Sequence, residues 1–216
     1  LARIAKAAEP LNELRAKVIG QSSALIEGNR KVCRVQECEM GNLIADAMLD
    51  RVAAQGVTIS LANAGNIRAS IEPGAVTMGQ VLEVLPFQNT LATFETSGQV
   101  IIDALENGVS QVEDVKGRFP QVAGLRFTWD SAIAANEGRI VEVLVAKGDG
   151  FVPIDPAANY MVVTNNYIRS GGDGYKMFRS GKNVYDYGPN VENVMADYMA
   201  TQGAYVPYLD GRITRK

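Results

Sequence analysis

Residues 160–175 read Tyr160-Met161-Val162-Val163-Thr164-Asn165-Asn166-Tyr167-Ile168-Arg169-Ser170-Gly171-Gly172-Asp173-Gly174-Tyr175. The first five are aromatic, apolar or β-branched and predict a strand. The rest turns polar at once and carries paired glycines. Such glycines mark backbone with φ > 0 or a close approach to a ligand. Asp173 offers two acceptor oxygens, the chemistry that ribose hydroxyls require, and Tyr167 offers a ring face for a base. The Asp-Gly pair also suits a plain hairpin turn. No GxxxxGK[ST] loop occurs anywhere, so this is not a Walker A motif.

Two more strand-like runs precede this one, Leu125–Trp129 and Ile140–Ala146. Upstream, Leu43, Ile44, Ala47, Met48 and Val52 form the apolar face of a helix over 42–54, with Asn42 in the N-cap position. Residues 57–62 (VTISLA) predict a buried strand. Thr77-Met78-Gly79-Gln80 is a capping box that opens a helix over 78–84, stopped by Pro86. Residues 90–96 alternate like a strand. Ser97 then caps a helix carrying Val100, Ile101, Ala104, Leu105 and Val109. A last helix near 191–201 follows Pro189-Asn190 and turns Val191, Val194, Met195, Tyr198 and Met199 inward. Residues 1–18 predict an amphipathic helix interrupted at Pro10, on Leu11, Leu14 and Val18. That helix reads either as an interdomain connector or as the first helix of the fold. Strands and helices mix without strict βαβ alternation, so the predicted class is α+β with mixed β-sheets and packed helices.

Composition narrows the chemistry. The chain has 216 residues, 47% hydrophobic and 21% charged, enough for one domain with a sizeable core. A net charge of −3 gives no electrostatic footprint for nucleic acid, so none is expected as a partner. No apolar run is long enough to span a bilayer. The chain contains no histidine, the commonest general base and transition-metal ligand. Any acid–base or metal centre is therefore expected outside this chain. The sequence opens on Leu1 without a signal peptide, which suggests a cut from a longer precursor. Cys33 and Cys38 cannot complete a zinc site alone, and their spacing is not CxxC. They read either as reduced core cysteines or as a local disulfide of an exported protein.

Three further polar clusters stand out. Arg34 lies in Cys33-Arg34-Val35-Gln36-Glu37-Cys38, just before a helix, where its planar fork suits an anion. A surface pairing with Glu37 or Glu39 is the plainer role. Asn63-Ala64-Gly65-Asn66-Ile67-Arg68 follows the buried strand; it is either a simple turn or a cleft edge with Asn63 and Arg68 exposed. In Leu85-Pro86-Phe87-Gln88-Asn89, Phe87 falls outside any periodicity and suits an exposed aromatic platform or a loop anchor. Two arginines, an asparagine, two aromatics and an aspartate together make an inventory for holding a nucleoside phosphate.

The ordered motifs CRVQECEMGNLIADAM, NAGNIR, VLPFQNTL, QVAGLRFTWD and NNYIRSGGDGY resemble the C-terminal domain of the 5′-nucleotidase / UDP-sugar hydrolase family, in its bacterial members. The resemblance runs from about residue 18 to Ile213. It implies a base clamp of Phe87 and Tyr167, where many relatives carry phenylalanine at the second position. It implies ribose binding at Asp173, ribose-phosphate contacts at Arg34 and Arg68, and Asn63 near base and ribose. Gly65, Gly171 and Gly172 support the loops. Relatives commonly carry glycine where this chain has Ala64 and Asn66. Cys33 and Cys38 match a disulfide of the animal relatives.

The resemblance also implies a division of labour. Residues 1–18 would be the interdomain connector and 19–216 the nucleotide-recognition domain. An N-terminal metallophosphoesterase domain with two divalent metal ions would lie outside this chain, which would itself hold no cofactor, metal or catalytic residue. The expected partners are a nucleoside or nucleotide substrate and that domain; the expected compartment is periplasmic or secreted. The choice among AMP, NAD, UDP-sugars and cyclic nucleotides stays open. Two other readings compete: a stand-alone nucleoside-binding module, and a thiosulfohydrolase-type relative acting on a carrier protein. A structural α+β domain whose loops bind nothing is the plainest alternative.

Overall fold

The computed structural model describes residue 9 and residues 11–216. Residues 1–8 and 10 of the expected N-terminal helix lie outside the described residues. Residues 11–16 are helical, but Leu11 and Leu14 are exposed. Val18 does not continue their face. It opens strand β1 (Val18–Ser22), paired antiparallel with β3 (Gly74–Thr77) from Val18↔Thr77 onward. The helical spacing of Leu11, Leu14 and Val18 is thus a coincidence across a helix–strand boundary.

Three mixed sheets organise the described residues. The central sheet has five strands in the order β10-β4-β9-β2-β5, comprising β2 (Ile59–Asn63), β4 (Leu91–Ser97), β5 (Pro120–Ala123), β9 (Asn159–Asn165) and β10 (Lys182–Tyr185). β2 runs parallel to β9 and antiparallel to β5. β4 pairs antiparallel with β9 along its whole length, from Leu91↔Asn165 to Ser97↔Asn159. β1 and β3 join β11 (Ala204–Tyr205) in a second sheet. The third contains β6 (Leu125–Trp129), β7 (Ile140–Lys147), β8 (Gly150–Pro153) and β12 (Ile213–Arg215). The mixed pairing is the α+β class that the unalternating pattern predicts.

Helices α1 (Glu39–Val52), α2 (Met78–Val84), α3 (Gly98–Val109) and α4 (Val191–Thr201) cover these sheets. α1 packs on β2, β5 and α4 through Met40, Leu43, Ile44, Ala47 and Met48, all buried. Its start departs from the sequence reading. Cys38, not Asn42, is the N-cap, with extended backbone and a sulfur that accepts from the Gly41 N–H at 3.3 Å. Asn42 lies inside the first turn, fully buried, and donates to Glu37 at 2.7 Å and to the Tyr208 carbonyl at 3.0 Å. The polar residue at the edge of an apolar run was serving a buried tertiary contact, not a cap. α2 does open on the predicted capping box of Thr77 and Gln80, and Ser97 caps α3.

Under the glycine loop, Phe94, Phe178 and Tyr175 form one buried aromatic group, with centroids 5.0 Å apart for Phe94–Phe178 and 5.4 Å for Tyr175–Phe178. The Tyr175 hydroxyl donates to the Arg118 carbonyl at 2.6 Å. Burial and the nearby Asp173 charge push that hydroxyl far above the usual tyrosine range, so it stays a donor. The loop is therefore anchored through its last residue to the core.

Candidate functional site

β2 is buried along its whole length and carries Asn63 at its C-terminal end. The chain then turns through a single 3₁₀ turn, Ala64–Asn66. Neither Ala64 nor Asn66 takes a positive φ, so neither position demands glycine on backbone grounds. Gly65 is needed. Its N–H donates to the Gly117 carbonyl at 2.7 Å, and a Cβ on it would lie 3.1 Å from the Gly117 Cα. Gly117 faces the same constraint, with a would-be Cβ 2.7 Å from the Gly65 Cα. Two backbones touch here with no room for side chains.

The parallel neighbour β9 ends at Asn165, beside Asn63. Asn165 caps the short turn Asn166–Arg169 through the Ile168 N–H, and donates to the Asn63 side-chain oxygen at 2.9 Å. Asn63 in turn donates to one oxygen of Asp173 at 2.7 Å. The Tyr167 hydroxyl donates to the other at 3.2 Å. Each carboxylate oxygen keeps spare lone pairs toward the cleft. Asp173 is itself in the left-handed region, at φ 51°, and Asn107 fixes its carbonyl at 3.2 Å. Gly171 precedes it at φ 95°, and Gly172 leaves room for the Tyr167 ring, which a Cβ would meet at 2.5 Å. Burial, then the Asp173 charge, raises the Tyr167 pKa.

Arg34 follows the short turn Arg30–Cys33 and lies inside a loop closed by a Cys33–Cys38 disulfide. Buried Gln121 braces that loop, donating to the Cys33 and Gln36 carbonyls at 2.8 Å each. The Arg34 guanidinium is buried, donates to the Val115 carbonyl at 3.3 Å, and leaves its Nε without a partner. Burial lowers its pKa, the Arg30 and Arg68 charges lower it further, and Asp173 opposes them. Arg68 is exposed, with its guanidinium 5.7 Å from the Phe87 ring centroid. Phe87 is 53% exposed and Tyr167 45%, unusual for aromatic rings and an open face for stacking.

Arg34, Asn63, Arg68, Phe87, Tyr167 and Asp173 all line one cleft of about 550 Å³. Gly65 lines it too, while Gly171 and Gly172 shape the loop behind it. Three more lining residues had no role in the sequence reading: Asn66, Asn89 and Gly117. Asn89 donates to Asn66 at 2.8 Å and so ties the Phe87 loop to the β2 turn. The two amides stand in motifs already marked by their glycine and proline neighbours, a signal that was available. Gly117 carries no local signal, because its need for glycine comes from Gly65. Among the described residues no group of three or more His, Cys, Asp or Glu side chains is placed to hold a metal ion, and no helix is long and apolar enough to cross a membrane.

Comparison with known proteins agrees with this architecture. Residues 18–180 match the family described as 5′-nucleotidase, C-terminal domain. The chain is 36% identical over 206 residues to the trifunctional nucleotide phosphoesterase protein YfkN of Bacillus subtilis (strain 168), covering 94% of this chain and 14% of that protein. It is 32% identical to a 5′-nucleotidase of Diplobatis ommata, covering 99% and 39%. The crystal structure of a 5′-nucleotidase precursor from Thermus thermophilus superposes with a TM-score of 0.93 at 41% identity, covering 98% of this chain and 42% of that one. The chain thus spans less than half the length of each relative. On the match over residues 18–180 and the shared fold, the chain belongs to the 5′-nucleotidase C-terminal domain family.

Proposed function

We propose that the cleft binds a nucleoside or 5′-nucleotide, and that this chain is the substrate-recognition part of a metal-dependent 5′-nucleotidase-type hydrolase. One observation carries the reading. Two exposed aromatic rings share a cleft with a carboxylate whose orientation is fixed by Asn63 and Tyr167, and with two arginines. The base stacks between Phe87 and Tyr167. Ribose hydroxyls donate to Asp173, and Arg34 and Arg68 face the ribose-phosphate. The network Asn165–Asn63–Asp173 is largely satisfied before any ligand arrives, so little ordering remains on binding.

Hydrolysis itself belongs to a metallophosphoesterase domain outside this chain. Two divalent ions there would activate a water and stabilise the leaving oxygen. No residue of this chain is assigned a step in that chemistry. The relatives, named as nucleotide phosphoesterases and 5′-nucleotidases, extend well beyond the region shared with this chain, which supports the division. The disulfide supports a periplasmic or secreted location.

Calorimetric titration with adenosine and AMP, beside a Phe87→Ala variant, tests the reading. Binding that weakens in the variant supports the clamp. An unchanged affinity in Phe87→Ala overturns it. The purified chain should show no AMP turnover with added divalent metal; such turnover would overturn the division of labour.

A further inference from the structure

Asn66 and Asn89 line the cleft together with Phe87 and Tyr167. The roles given to the other lining residues leave the polar edge of a base without a partner. The two rings take its faces, Asn63 and Asp173 hold each other and the ribose, and Arg34 and Arg68 face the phosphate. Gly65 and Gly117 bring no side chain. Asn66 and Asn89 are the polar side chains of the cleft that remain. They are bonded to each other, the Asn89 Nδ2 donating to the Asn66 Oδ1 at 2.8 Å. A side-chain amide carries both a carbonyl oxygen and an NH₂ group. One bond between two amides therefore leaves a donor on one and an acceptor on the other, whichever way the pair is turned. Here these are the Asn66 amide nitrogen and the Asn89 oxygen. Neither has a partner among the described residues, and neither is sealed from solvent, although Asn66 as a whole is only 5% exposed. The backbone on both sides is fixed. The Arg68 N–H donates to the Val84 carbonyl at 3.0 Å and joins the β2 turn to the end of α2. The Val191 N–H donates to the Asn89 carbonyl at 2.8 Å and holds the Phe87 loop on α4.

We propose that the Asn66–Asn89 pair sets the base specificity of the cleft. It reads the edge of the base and selects one with an amino group beside a ring-nitrogen acceptor, as in adenine. The inference rests on the nucleoside reading of the same cleft. Stacking is indifferent to base identity, because every base has a π-face. Selection needs directed hydrogen bonds, and the amino group of adenine with its neighbouring ring nitrogen is the pattern that side-chain amides match. A base seated between the two rings loses water from its edge, and an edge group left unpaired there carries a desolvation penalty. The pair removes that penalty for a matching edge. Little reordering is needed, since each amide already holds the other.

The test is calorimetric titration of this chain with adenosine and with purine riboside, which keeps the ring and ribose but has hydrogen in place of the amino group. Wild type should bind adenosine about fivefold more tightly, the effect of one neutral hydrogen bond. An Asn66→Ala/Asn89→Ala variant removes both amides and strands neither, and it should bind the two nucleosides equally. Melting curves check its fold. Asn89→Ala alone, at the half-buried member of the pair, is the second variant and should shrink the preference too. Equal binding of the two nucleosides by wild type overturns the assignment and leaves the nucleoside cleft standing. An adenosine preference that survives unchanged in the folded variants also overturns it, even where both affinities fall, because the pair then only anchors the Phe87 loop. Absence of binding of either nucleoside to wild type overturns the nucleoside cleft and this inference with it.

Discussion

Asn63 donates to the Asp173 carboxylate at 2.7 Å although 110 positions separate them in sequence. The contact joins the end of β2 to the glycine loop after β9. It is possible because those two strands are parallel neighbours, so their C-terminal ends open on the same side of the sheet. The clustering of these polar side chains at strand C-termini thus follows from pairing, and the substitution that breaks this link has a definite expected cost.

Asn63→Ala removes the donor to Asp173 and strands the Asn165 amide in a buried site. We expect about 1–3 kcal/mol lower stability, the penalty of an unsatisfied buried polar group. Adenosine affinity should fall as well, because Asp173 loses its orientation. Melting curves and titration measure the two effects. A variant as stable as wild type that binds adenosine equally would refute this role for the network.

Tyr167→Phe keeps the ring and loses only a hydroxyl bond of 3.2 Å to Asp173. Its adenosine affinity should stay within about threefold of wild type, the effect of one modest hydrogen bond. Tyr167→Ala should weaken binding by about 1–3 kcal/mol, the worth of stacking one base. Equal losses in both variants would assign the residue's contribution to its hydroxyl and not to its ring.

The disulfide holds the loop that carries Arg34. A Cys33→Ser/Cys38→Ser variant should lose about 2 kcal/mol of stability, as expected for so short a closed loop. Its affinity for AMP should fall more than its affinity for adenosine, because the phosphate end of the cleft is the part left mobile. Parallel losses for both ligands would show that the bridge supports the whole cleft.

Acid should destabilise the chain through two arginine-held carboxylates. Burial pushes the Asp210 carboxyl up, but hydrogen bonding and charge from Arg212, with Arg126, hold it below its ordinary 3.8 overall. Arg139 does the same for Glu113, below 4.5, through contacts of 2.6 and 3.3 Å. A folded pKa below the unfolded one gives stability that is complete above the unfolded value and lost as pH falls through the folded one. The melting temperature should therefore be flat near neutrality and fall below about pH 4. The Glu113 share should be small and salt-sensitive, since that side chain is largely exposed. Asp210→Asn should flatten the acid limb; an unchanged acid limb would remove Asp210 from the account.

Much of this was readable along the chain because the signals were local. The Thr77–Gln80 box, the Ser97 cap and the apolar run before Asn63 each act within a few residues, and the structure keeps them. The six residues around the cleft were legible because each stands where a regular pattern breaks. What stayed hidden depends on distant partners. β1, β5, β10 and β12 are three to five residues long and owe their conformation to pairing with remote strands. Asn42 looked like a cap because a polar residue at the start of an apolar helix usually is one, and only Tyr208 and Glu37 show its buried role. Gln121 and Gly117 hold the site through contacts with Cys33, Gln36 and Gly65, none of them near in sequence.

The placement of β2 also matters while the chain is being made. Its hydrogen-bonded neighbours are β5 and β9, through Ser60↔Ala123 and Ile59↔Val162. During synthesis the Ile59–Asn63 segment leaves the ribosome long before either neighbour exists. With a sequence built for complete burial, it must wait with both edges unpaired until β5 has emerged, and with its β9 edge open until residue 165 follows. That interval is when a chaperone would be of most use, and when a stalled or truncated chain would be most prone to aggregate.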